Sequence, residues 1–175
     1  MSEPVKQLFR FLFFLLVQAL VLSHMPPLHR FITPYIYFLF IIWLPFTTSR
    51  SAVLILSFLL GLLLDFFTKT PGLHASAALV VGYMRGFLIN LLVPRETREL
   101  KSGTPGILSM GFASYALFVL LLTLFHHSWL VFLEWMTFAD FWYFLGKVLL
   151  TTLVSLVLML ILELLFRPAR KRRIE

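Results

Sequence analysis

Gly61-Leu-Leu-Leu-Asp65, Pro71-Gly-Leu-His74 and Gly82-Tyr83-Met-Arg85-Gly86 form one continuous stretch of the chain, and they are its most polar apolar region. An acid, a histidine and an arginine here lie inside runs of hydrocarbon side chains. An ionisable group within a membrane segment costs a few kcal/mol even on the mildest scales, so such groups mark structure or function. Pro71-Gly72 breaks the stretch into two apolar segments. Its ends bring Asp65 and His74 to one turn.

Working outward, the whole chain reads as a membrane protein. Of its 175 residues, 60% are hydrophobic, 20 are Phe, and only 13% are charged. A water-soluble domain of this length needs more polar surface than that. The reading is an all-α integral membrane protein, a single transmembrane domain over residues 1–175. Six helices are expected at about 8–23, 31–46, 51–67, 73–93, 107–127 and 141–166, followed by a basic tail at 167–175. A span takes about 20 apolar residues. The second segment, between Pro34 and Pro45, is short and covers only about 24 Å at helical rise. It either spans, with Tyr35, Tyr37 and Trp43 as interfacial anchors, or turns back as a re-entrant segment.

The charges orient the chain. Six spans place Lys6, Arg10, Arg50, Arg95, Arg98, Lys101 and the tail from Arg167 to Arg173 on one side, against Arg30 and Lys69 on the other. Basic loops stay in the cytoplasm, so both termini are expected there. Five spans with the N-terminus outside give nearly the same bias. The formal net charge of +7 is assigned to this arrangement and to anionic lipid, not to nucleic acid. The first apolar run has no small-residue cleavage site, so it is read as a span and not as a signal peptide. The chain has no Cys, which excludes disulfides, thiolate metal sites and a cysteine nucleophile.

Several constellations carry two readings. Asp65 with His74 is either a proton relay or a lock that satisfies the turn's polar groups where lipid cannot. The lock is preferred, because a relay needs a third group at the right depth. Arg85 either snorkels, pairs with Glu163, or binds a ligand. Gly82 and Gly86 are four apart, a spacing that lets helices approach closely within the bundle or against a partner. His126 and His127 are adjacent and point about 100° apart, which makes a poor chelate, and they are placed at the membrane interface. From Trp129 to Trp142 the aromatic spacing fits either a helix lying in the interface or the ends of two long spans. The linker 94–105 reads as a short turn or helix. Metalloprotease, phosphate-loop and serine-hydrolase motifs are missing from the sequence, and its carboxylates are scattered. No enzymatic activity and no cofactor are expected.

The motif Gly61-Leu-Leu-Leu-Asp65, Pro71-Gly-Leu-His74-Ala75 and Gly82-Tyr83 resembles the signature region of the MreD family of bacterial rod-shape-determining proteins. Length, the six-span hydropathy and the basic C-terminus fit the same family. The resemblance implies a six-helix bundle like the substrate-binding subunits of energy-coupling-factor vitamin transporters. It implies a place in the inner membrane and a role in cell elongation and peptidoglycan synthesis. The implied partners are MreC, the MreB cytoskeleton, RodA and a penicillin-binding transpeptidase. Asp65, Pro71, Gly72, His74, Gly82 and Tyr83 would then be structural or partner-contact positions, and Gly61, Arg85 and Gly86 join them from the reading above. The leading expectation is a non-enzymatic scaffold. A small-molecule-binding transporter subunit is the alternative, and an ion-coupled carrier is a third reading that lacks the broken helices expected of one.

Overall fold

Residues 3–24, 32–98, 103–136 and 141–166 are described by the structure, a computed structural model. Pro26, Pro27, Arg30, Lys101, Phe138, Pro168 and the basic tail lie outside the described residues.

Helix α1 (Glu3–Leu16) continues through a wide π turn over Val17–Val21 and a tight 3-10 turn over Leu22–His24. Such wide turns occur where a side chain is needed out of register. Here that side chain is Gln18, fully buried. Its Oε1 accepts from the Ile36 N–H at 2.9 Å, and its Nε2 donates to the Pro34 carbonyl at 3.3 Å.

The expected second span takes another form. Within residues 32–46 the only helix is α2 (Leu39–Ile42), four residues long, with a non-helical approach before it. Yet Tyr37 to Leu44 are all buried. Backbone groups of an extended chain need partners inside the bundle, and they find them. The Tyr35 N–H donates to Ser155 Oγ at 3.0 Å, and the Phe46 N–H donates to the Gly103 carbonyl at 3.0 Å. Pro34 and Pro45 explain why no longer helix forms, since each interrupts helical hydrogen bonding. Tyr37 and Trp43, expected as interfacial anchors, are core residues instead: Trp43 Nε1 donates to the Tyr115 hydroxyl at 2.9 Å.

Helix α3 (Arg50–Thr68) starts at Ser49, whose Oγ accepts from the Ala52 N–H at 3.3 Å. It ends at Lys69, in the left-handed region at φ 59°. Helix α4 (Leu73–Leu92) follows after the Pro71-Gly72 turn, with Gly72 at φ 86°. A short α5 (Arg95–Arg98) comes next, then α6 (Ile107–Met110). Gly111, at φ 78°, bends the chain into α7 (Phe112–Trp135). The last helix is α8 (Phe141–Leu165). The ends of α7 and α8 account for the aromatic run after Trp129: Trp135 stacks on Tyr143 at 4.6 Å, and Lys147 pairs with Glu134 at 2.6 Å. No interfacial helix is seen among the described residues of that run.

In space α3 packs on α4, α4 on α7, and α7 on α8, while α1 lies against α2 and α3. One end of the bundle carries the α3–α4 turn. The opposite end carries Arg50, Arg95, Arg98 and Glu163, and is called the basic end below.

The surface is inverted relative to a water-soluble protein. Phe66, Phe87, Leu91, Trp142 and Leu165 are exposed, while Ser57, Asp65, His74, Arg85, Thr123, His126, His127, Thr152 and Ser155 are buried. Five helices are long and apolar enough to cross a membrane: Glu3–His24, Arg50–Thr68, Leu73–Leu92, Phe112–Trp135 and Phe141–Leu165. An apolar exterior of this extent suits lipid.

Candidate functional site: a capped hairpin and a buried arginine

The first turn of a helix presents backbone N–H groups that have no intrahelical partner. At the start of α4 the residue in the cap position is Gly72, which has no side chain to offer. Asp65 supplies the cap from the preceding helix. Its Oδ1 accepts from the His74 N–H at 2.9 Å, and its Oδ2 accepts from the Ala75 N–H at 3.0 Å. Oδ1 also accepts from His74 Nδ1 at 2.9 Å and from Thr70 Oγ1 at 3.0 Å. The carboxylate sits at the positive end of the α4 dipole, which favours its charge. These partners fix the His74 ring with its proton on Nδ1.

Two glycines let the helices come close enough for this. A Cβ on Gly61 would stand 2.5 Å from Ala75 Cα and 2.6 Å from its nitrogen. A Cβ on Gly82 would stand 2.5 Å from Ser57 Oγ. In lipid, helix association depends on such close packing and on hydrogen bonds, because apolar burial gives no driving force there. Gly61 and Gly82 therefore work as a pair, one from each helix, about a turn apart along α3.

Behind the hairpin lies a cluster that the sequence placed elsewhere. His126 and His127, expected at the interface, are fully buried. The reason is that α7 runs on for two more turns, to Trp135, so the pair falls inside the helix and not at its end. Tyr37 connects His126 to the hairpin. Its hydroxyl donates to the His74 carbonyl at 3.3 Å and pairs with His126 Nε2 at 2.7 Å. His126 stacks on Phe38 at 4.2 Å, and His127 Nδ1 pairs with Thr152 Oγ1 at 3.0 Å. Tyr35 packs its ring against all three histidines, at 5.7 to 5.9 Å. The cluster does not make a metal site: no group of three or more metal-ligating side chains occurs among the described residues.

Arg85 belongs to a different place. It lies eleven residues beyond His74 on α4, about 16 Å away at helical rise. Asp65, His74 and Arg85 therefore do not form one pocket. Arg85 is buried, and its Nη2 donates to the Leu44 carbonyl and, at 3.4 Å, to the Pro45 carbonyl. It does not pair with Glu163. That carboxylate instead accepts from the Ile107 N–H at 3.0 Å, beside Gly106, where a Cβ would stand 2.7 Å from Oε1. Arg85 thus holds the carbonyl end of the buried 32–46 segment, and Glu163 holds the start of α6.

Tyr83 and Gly86 point outward. Tyr83 is 73% exposed, and a Cβ on Gly86 would meet nothing within 4 Å. With Phe87, Asn90 and Leu91 they fall at i, i+3, i+4, i+7 and i+8, one exposed face of α4. Pro71 lies in the turn and is exposed.

Fold and surface together define an all-helical protein of multi-pass membrane type. No family model matches the chain, and neither a curated protein nor a solved structure does.

Proposed function

We propose that this protein is a non-enzymatic scaffold of the bacterial cell-elongation machinery, of the MreD kind, working in the inner membrane. In this reading α4 docks the single membrane helix of an MreC-type partner. The assembly then links cytoskeletal filaments of the MreB type to peptidoglycan synthesis by RodA and a penicillin-binding transpeptidase.

One observation carries the reading. The motif divides into two sets by what its residues touch. Gly61, Asp65, His74 and Gly82 are engaged within the hairpin, whereas Tyr83 and Gly86 face outward with nothing packed on Gly86. A glycine on an exposed helix face lowers helix stability by about 1 kcal/mol against alanine, so an outside reason for it is needed. Close approach of another helix is such a reason.

The topology that goes with this reading has six passes and both termini in the cytoplasm. The 32–46 segment supports it. Arg10 lies over Trp43 and Phe13 packs on Phe166, so α1 starts at the basic end, and the 32–46 segment brings the chain back from beside Ser155 to that same end, where Phe46 meets Gly103. A bundle like that of energy-coupling-factor subunits belongs to the same proposal.

The transporter-subunit reading expects Asp65, His74 and Arg85 around one ligand. Their separation along α4 and the four hydrogen bonds on Asp65 speak for the scaffold instead.

The test is a mild-detergent pull-down of the tagged protein from its native membrane, with partners identified by mass spectrometry. Recovery of MreC-like and elongation proteins supports the scaffold. Recovery of ATP-binding-cassette ATPases, or of no membrane partner, overturns it.

A further inference from the structure

At the basic end, an open cavity of ≈ 870 Å³ lies where α3 begins and α4 ends, walled on its third side by α5. Its size falls within the range of small-molecule sites, roughly 300–1,000 Å³. Four arginines line it: Arg50, Arg85, Arg95 and Arg98. No Asp or Glu is among the described residues that line it. Four like charges around one space repel one another unless an anion sits between them, and the low dielectric beside a bilayer sharpens that repulsion.

Arg85 supplies a second, independent observation. It forms the inner wall of the cavity and is only 3% exposed, yet it has no carboxylate partner among the described residues. Nη2 is taken by two backbone carbonyls, while Nε is buried with no hydrogen-bond partner among the described residues. Arg98 repeats the pattern at the rim. Its Nη1 donates to Asn90 Oδ1, and its Nε is buried with no partner among the described residues. Guanidinium groups with free N–H donors suit phosphate oxygens, which accept several such bonds at once. Beside Thr48, Tyr83 and Asn90 the rest of the wall is apolar, and Leu54 and Phe87 extend it away from the arginines. A free anion has no use for that wall, but an acyl chain does.

We infer that this cavity binds the phosphate headgroup of an anionic membrane lipid, with its acyl chain lying along the groove between α3 and α4. The site goes beyond the scaffold reading but borders its docking face, because Tyr83, Gly86, Phe87 and Asn90 also line the cavity. A partner helix on Tyr83 and Gly86 would close the open side of the cavity, but lipid capture by the purified protein needs no partner.

The experiment uses the full-length protein in detergent, titrated with phosphatidylglycerol, phosphatidylcholine or inorganic phosphate. Native mass spectrometry counts bound lipid, and thermal unfolding reads stabilisation. The variant is Arg50→Gln/Arg95→Gln/Arg98→Gln, which leaves the buried Arg85 in place. The control is Lys6→Gln/Lys69→Gln, two charges that do not line the cavity. Phosphatidylglycerol is expected to stay bound and to raise the unfolding midpoint of both wild type and control. The triple variant is expected to bind it about tenfold more weakly or worse. If the triple variant does not fold, single Arg50→Gln and Arg95→Gln variants, both at exposed positions, must each weaken binding. Equal loss in the control and the variant would mean diffuse surface charge and overturn the site. So would equal binding of phosphatidylcholine. A shift reproduced by inorganic phosphate alone would overturn the lipid as its occupant.

Discussion

Asp65 caps the helix on which His74 sits. The carboxylate on α3 takes the His74 backbone N–H and ring Nδ1, each at 2.9 Å, so one residue both ends one helix and begins the next. The turn between them is held by the same residue, since the Thr70 N–H donates to the Asp65 backbone carbonyl at 3.2 Å.

Replacing Asp65 should therefore loosen the hairpin as a unit. Loss of a helix cap costs about 0.5–2 kcal/mol, and hydrogen bonds to a charged group about 1.5–3 kcal/mol. Asp65→Ala should lower stability by about 2 kcal/mol or more, measured by denaturant unfolding in micelles. Asp65→Asn keeps one acceptor oxygen and should lie between Asp65→Ala and wild type. Equal stability of all three would show that the cap contributes nothing.

Two glycines of the motif should separate cleanly. Gly61→Ala forces a methyl against the backbone of Ala75 and should cost about 1–3 kcal/mol, as overpacked sites do. Gly86→Ala meets open space and should leave stability unchanged or raise it by up to about 1 kcal/mol through helix propensity. Thermal unfolding of the two variants side by side decides this. A reversed order would mean that α3 and α4 do not cross where described.

Tyr37→Phe removes one hydroxyl that serves both the His74 carbonyl and His126 Nε2. Both groups are buried, so each would lose a partner with no water to replace it. We expect a loss of about 1–3 kcal/mol. In a double-mutant cycle, His126→Phe should remove part of that loss, because the two side chains share the bond. Additive effects would contradict the connection.

Glu163→Gln keeps an acceptor for the Ile107 N–H and should be mild. Glu163→Leu leaves that N–H unpaired and should cost about 1–3 kcal/mol. The comparison reads the hydrogen bond apart from the charge, using unfolding midpoints of the two variants.

Much of the architecture could be read from residue order. The helices α3, α4 and α8 lie within a residue or two of the apolar segments at 51–67, 73–93 and 141–166, and Pro71-Gly72 and Pro94 punctuate the first two. The nearness of Asp65 and His74 followed from the shortness of their turn. What escaped was everything set by tertiary packing. Residues 32–46 are apolar enough for a span, but their depth in the core comes from partners such as Gln18 and Ser155, far off in sequence. His126 and His127 interrupt the apolar run and so read as its end, whereas α7 continues through Trp129 to Trp135. Arg85 was legible as unusual, but its carbonyl partners at Leu44 and Pro45 follow from no spacing rule. A signal for Gly86 as outward-facing did exist: it falls on the same helical face as Tyr83, Phe87 and Asn90.

The most direct measurement is photocrosslinking in the native membrane from position 83, with position 55 on α3, also exposed, as the comparison. The docking face on α4 predicts a crosslink from position 83 to a single-span, MreC-like protein. Gly86→Leu should abolish that crosslink while leaving the unfolding midpoint unchanged. Crosslinks from position 83 to lipid alone, or to the same proteins as from position 55, would contradict a partner face on α4.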